Sequence, residues 1–138
     1  MTSLRLYKKE KLRSIADIDT LFGDSSAEDV KRSSIMAYPW RAVWRVNPHR
    51  RYVARFLISV PKKRLRHAVD RVSMRRRCRE AYRLSRHLLP EPVPGIDIAF
   101  VYVGRELSSY NRTERSMHKM LLGVTASIES SSHATQSV

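Results

Sequence analysis

The sequence predicts an α+β domain, a small α/β sandwich in which helices cover a mixed sheet. Three observations predict it. Apolar residues recur at helical spacing over about 14–22, 68–88 and 110–128. Strand composition occupies about 35–46, 52–60 and 96–103. The two patterns alternate as helix, strands, helix, strand, helix, which suits helices packed on a sheet. With 138 residues the chain suits one domain. That domain is expected over 1–128, followed by a polar, disordered tail at 129–138.

The elements follow in order. Ser14 and Asp17 form a capping-box-like start, Ile15, Ile18, Leu21 and Phe22 share one face, and Gly23 ends the first helix. Residues 23–33 are polar and loop-like. From Ile35 to Val46 the chain has strand character, with Pro39 marking an edge or a break. A turn at 47–50 leads to a second strand at 52–60, expected to pair with the first as a hairpin. A basic connector at 61–66 precedes a long helix, which Pro90, Pro92 and Pro94 close. Residues 96–103 are largely apolar, so this strand is expected to be central or well covered. The last helix carries Met117, Met120, Leu121, Val124 and Ile128 on one face.

Composition excludes several classes. The single cysteine, Cys78, leaves no internal disulfide framework and no cysteine-based zinc cluster. The sequence has no run of ~18 apolar residues and no apolar leader segment at its start, so the expected compartment is the cytoplasm. The five histidines (His49, His67, His87, His118 and His133) form no metal-spaced pair with Cys78 and are read as surface residues. No catalytic constellation stands out. Twenty-seven Lys and Arg against 13 Asp and Glu leave a formal charge of +14. Self-repulsion of that size disfavours a compact state unless a polyanion offsets it. Nucleic acid is the expected partner, well ahead of an anionic membrane surface.

The excess charge is localised. Residues 1–40 carry net +1, residues 41–87 net +14 and residues 88–138 net −1. On a helical wheel, Arg71, Arg75, Arg76, Arg79, Arg83 and Arg86 fall within an arc of roughly 140°. Met74, Cys78, Ala81, Leu84 and Leu88 lie on the other side as the expected core stripe. Arg77 falls in the apolar arc and must snorkel or pair, with Glu80 the nearest acid. A solvated helix face usually interleaves Glu with Lys, and this one does not. Arginine suits bidentate phosphate contacts and stacking on bases.

Leu57-Ile58-Ser59-Val60-Pro61-Lys62-Lys63, then Ala68-Val69-Asp70-Arg71, Arg75-Arg76, Arg79-Glu80 and Arg83, resemble the bacterial ribonuclease P protein family. That family has a strand ending in S-V-x-K-K, followed by A-V-x-R-N-R-x-K-R-x-x-R-E-x-x-R. The resemblance spans about residues 8–125. The family's R-N-R reads Arg71-Val72-Ser73 here, and its Lys is Arg75. Val72 and Ser73 lack the side chains for those contacts, with Arg76 and Arg77 the nearest replacements. The family's F-x-x-V-F reads Ile18-Asp19-Thr20-Leu21-Phe22, so Ile18 replaces an aromatic.

The resemblance implies the small subunit of a ribonucleoprotein that removes the 5′ leader from precursor tRNA. It implies that the RNA subunit carries the active site and the Mg²⁺ ions. It also implies a left-handed crossover between parallel strands, against the usual hand. Implied partners are the RNA subunit and precursor tRNA, with no membrane and no stable protein partner. Expected RNA-binding residues are Lys62, Lys63, Arg66, Arg71, Arg75, Arg76, Arg79 and Arg83. Expected leader-cleft residues are Lys11, Arg13, Ile18, Phe22, Trp40 and Tyr52. Phe22 with one or two of Tyr38, Trp40 and Tyr52 would stack bases beside the sheet. A ribosome-associated RNA-binding module would share the charge but show no dependence on a leader. A DNA-binding protein with the long helix in a major groove is disfavoured, since no helix-turn-helix partner precedes that helix.

Overall fold

The computed structural model describes residues 10–13, 15–22, 32–47, 54–90 and 95–136. The elements are α1 (Ile15–Phe22), β1 (Ser33–Ala37), β2 (Trp40–Val46), β3 (Ala54–Ser59), α2 (Ala68–Ser85), β4 (Ile96–Tyr102) and α3 (Tyr110–Gln136). A 3-10 turn over Arg86–Leu88 extends α2. The four strands form one mixed sheet in the order β1-β2-β4-β3.

The expected hairpin between the first two strand segments does not form. Pro39 splits the first segment, and its halves β1 and β2 pair antiparallel, with Ala37 opposite Trp40 and Ser33 opposite Trp44. β4 lies between β2 and β3, antiparallel to β2 and parallel to β3. The cause is the composition of β4. Ile96, Ile98, Ala99, Phe100 and Tyr102 leave no polar face for solvent, so the strand needs neighbours on both edges and cover on both faces. It is accordingly buried on both faces, as its sequence predicts. The parallel β3–β4 pair is joined through α2.

Alternation along the strands separates two cores. Trp40, Ala42 and Trp44 of β2, Ala54 and Phe56 of β3, and Ile96, Ile98, Phe100 and Tyr102 of β4 face α2 and α3. Met74, Cys78, Ala81 and Tyr82 of α2 meet them, with Met117, Met120, Leu121 and Val124 of α3. Tyr82 sits between Phe56 and Phe100, with ring centroids 4.6 and 5.5 Å away. Ile35 of β1 seats over Gly123, where a Cβ would stand 2.3 Å from its Cδ1. On the opposite face Leu12, Ile18 and Leu21 cover Val43, Leu57, Ala99 and Val101.

Three helix expectations need correction. Leu84 is exposed, and Tyr82 and Ser85 take its place in the buried stripe, which therefore runs 74, 78, 81, 82, 85. Arg77 does not pair with Glu80. It reaches the loop before α3 and donates to the carbonyl of Ser108, because Glu80 is already held by Arg83. Finally, the α3 backbone stays helical through Gln136, over most of the expected tail. Its Glu-Ser-Ser-Ser-His-Ala-Thr-Gln run contains no Gly or Pro, and adding residues to an existing helix is far easier than nucleating one.

Candidate nucleic-acid interface

α2 presents its arginines outward because its apolar stripe is anchored on the sheet. Not all of them are available to a ligand. The Arg71 guanidinium donates to the carbonyls of Leu65 and Arg66, both at 2.9 Å. It thereby holds the β3–α2 connector, with Leu65 buried beneath. Arg83 is bound by Glu80 through two hydrogen bonds of 3.0 and 2.6 Å. That guanidinium holds the Glu80 carboxyl below its ordinary range. Arg86 forms a part-buried ion pair with Glu10, which ties the start of the described chain to the end of α2.

Arg75, Arg76 and Arg79 remain. Among the described residues they have no acidic partner, and Arg76 and Arg79 are exposed. Lys62, Lys63 and Arg66, in the connector, are also exposed. Val72 is 37% exposed on the same helix. Of its two expected replacements, Arg77 is committed to Ser108 and Arg76 has no acidic partner among the described residues. The positive face thus consists of three helix arginines and a connector pinned by a fourth. Cations held this way with no counter-charge favour an external anion.

The second expected site lies on the other face of the sheet. A parallel bridge from Lys11 to Phe56 and a bond from Leu12 N–H to the Phe56 carbonyl (2.9 Å) run residues 11–13 along the outer edge of β3. Lys11 and Arg13 are exposed there. Ile18 is half-buried in the small core, and Phe22, at the end of α1, is 47% exposed. Beyond α1 the same sheet face presents Arg41.

Trp40 does not belong with this group. It has 0% exposure, meets Tyr102 edge-on at 5.0 Å and donates from Nε1 to Thr113 at 3.4 Å. The alternation of β2 turns it toward α3, so it is core and cannot stack on a base. Tyr52 lies outside the described residues. Tyr38 is the aromatic left open beside β2, 56% exposed with the Arg112 guanidinium 5.2 Å above its ring. Its position beside the break-making Pro39 is the signal that marks it as exposed.

Asp17 of α1 accepts from Arg45 at 3.0 Å and from Asn47 at 3.3 Å. Arg45 and Asn47 also hold the fully buried Asp97, at 3.1 and 3.0 Å. This network docks α1 on the sheet. Nothing in the local sequence pattern singles it out, because its members lie in α1, at and just beyond the end of β2, and in β4.

Among the described residues no group of three or more His, Cys, Asp or Glu is placed to hold a metal ion. His67 and His87 are exposed, and His118 lies 3.8 Å from Glu114. His49 lies outside the described residues, and so does the side chain of His133. No helix among the described residues is long and apolar enough to cross a membrane.

A family model described as Ribonuclease P matches residues 6–125. A ribonuclease P protein component of Porphyromonas gingivalis (strain ATCC 33277) is 37% identical over 131 residues, covering 91% of this chain and 90% of that protein. The same fold occurs in the Staphylococcus aureus RNase P protein, with a TM-score of 0.63 at 19% identity, over 83% of this chain and 94% of that one. It occurs also in the RNase P protein from Thermotoga maritima, with a TM-score of 0.62 at 22% identity, over 82% and 96% of the two chains.

Proposed function

The chain belongs to the ribonuclease P protein family, and from that membership we propose that it binds the catalytic RNA of ribonuclease P and the 5′ leader of precursor tRNA, assisting removal of the leader. The observation that carries this reading is the set of uncompensated cations on α2 and its connector, in a chain of that family. Arg75, Arg76 and Arg79 with Lys62, Lys63 and Arg66 would contact phosphates of the RNA subunit. Lys11, Arg13, Phe22 and the sheet face beyond α1 would hold the single-stranded leader by charge and stacking. In this reading the RNA subunit carries the Mg²⁺ ions and the bond cleavage, as membership of the family implies. The protein's part is binding and charge neutralisation, in the cytoplasm.

Reconstitution with the RNA subunit from the same source tests this. Added protein is expected to lower the Mg²⁺ concentration needed to cleave precursor tRNA, with a larger effect on substrates that carry a leader. Unchanged cleavage and unchanged Mg²⁺ dependence would overturn the proposal. A ribosome-associated role would instead give binding to ribosomal RNA with no effect of the leader.

A further inference from the structure

Two connections meet at the end of the sheet where the parallel strands β3 and β4 finish. Lys63 and Arg64 follow β3, Arg105 follows β4, and the three side chains line one pocket. Arg105 lies outside the positive face described above, and Arg64, though in its connector, is not among the cations assigned to it. Among the described residues none of the three cations has an ion-pair partner. Glu106 is the acid next in sequence, and its backbone carbonyl is bonded by the Tyr102 hydroxyl.

Both walls of the pocket are held in place before any ligand arrives. On the connector side, Arg64 N–H and Leu65 N–H donate to the Pro61 carbonyl at 3.0 and 3.3 Å. The buried Leu65 and the Arg71 clamp complete that anchor. On the loop side, Val103 N–H donates to the Pro39 carbonyl at 2.8 Å. The Tyr102 hydroxyl lies 3.0 Å from Ser108 Oγ, and Arg77 binds the Ser108 carbonyl. Gly104 fits against this turn only because it has no side chain: a Cβ would stand 2.8 Å from the Tyr102 hydroxyl and 2.9 Å from Pro39 Cβ. Like charges brought together by a fixed backbone repel one another, and a bound anion removes that cost. Because the backbone is already ordered, little entropy is lost on binding.

We propose that Lys63, Arg64 and Arg105 form a phosphate-binding pocket for one RNA phosphodiester, an anchoring point additional to the α2 arginine face. The inference rests on the RNA-binding reading above. The ligand is a phosphodiester of either the RNA subunit or the precursor tRNA. Three cations lining one pocket suit the spread charge of a phosphate better than a single carboxylate.

The test uses the full chain with each RNA separately: the RNA subunit alone, and precursor tRNA alone. Arg64→Ala with Arg105→Ala is expected to weaken binding to one of them about ten-fold at low salt. The salt slope on that RNA should fall by about 1, the value for a single phosphate contact. Phosphate-ethylation interference then separates a site from a diffuse field. The unmodified protein should show interference at one or two phosphates that disappears in the double variant. Thermal melts that match the unmodified protein exclude unfolding as the cause. Interference unchanged in the double variant, or weakened evenly over all phosphates, would overturn the pocket while leaving the RNA-binding reading intact. Failure of the unmodified protein to bind either RNA would overturn both.

Discussion

At Glu80 a single carboxylate decides how much of the arginine face is free. Its pKa is lowered, first by the side-chain hydrogen bond from Arg83. A lowered folded-state value stabilises the fold above the unfolded pKa, near the ordinary 4.5, and that stability is lost as pH falls through the folded value. The pair is largely exposed, so Glu80→Gln should cost well under ~1 kcal/mol at pH 7 and nothing once the carboxyl is protonated. Urea titrations at the two pH values check this. The same substitution releases Arg83 and should tighten RNA binding at low salt; weaker binding would show that the Glu80–Arg83 pair itself is recognised. Cys78 is the opposite case. Burial, the larger influence, pushes its thiol far above the ordinary range, against a smaller lowering by Arg79. A thiol reagent should therefore label Cys78 at the rate of global unfolding, and fast labelling of the folded protein would contradict its buried placement.

Along α2, neighbouring arginines with the same sequence signature have different physical roles. Arg71 holds connector carbonyls, whereas Arg75 has no acidic partner among the described residues. Arg71→Ala should cost about 1–2 kcal/mol of stability, because two charged hydrogen bonds to the connector disappear. Arg75→Ala should stay within ~0.5 kcal/mol and weaken only RNA binding. Equal melting temperatures for the two variants would remove the distinction. Across the sheet, Asp97 is fully buried between Arg45 and Asn47. Removing one member of such a group leaves the others desolvated, so Asp97→Ala should cost about 3–5 kcal/mol in denaturant unfolding. A loss below ~1 kcal/mol would mean that water enters the network.

At the scale of the molecule, charge and core are divided between elements. The two cores hold the sheet between α1 and the α2–α3 layer, while the uncompensated cations collect on α2, its connector and the sheet end. Replacing Arg75, Arg76 and Arg79 together with Ala should lower the salt slope of RNA-subunit binding by about 2–3, near 0.9 for each phosphate no longer neutralised. An unchanged slope would mean that this face points away from the RNA.

The order of the elements, the central position of β4, the buried Cys78 and the concentration of charge on α2 were all legible in the sequence. Each depends on local periodicity or composition, which a chain carries along its length. The β1–β2 hairpin, the insertion of β4 between β2 and β3, and the burial of Trp40 were not. Pairing partners and the face a strand turns to the core depend on contacts between distant segments. The same holds for the arginines. The sequence by itself determined that six share an arc of the helix expected over about 68–88. Only the folded structure decided that Arg71 is occupied by the Leu65 and Arg66 carbonyls and Arg86 by Glu10, whereas the Arg83–Glu80 pair is an i,i+3 helix pairing that the sequence itself offers. A side chain's hydrogen-bond partner is set by what folding brings within ~3 Å of it, and helical spacing alone does not specify that.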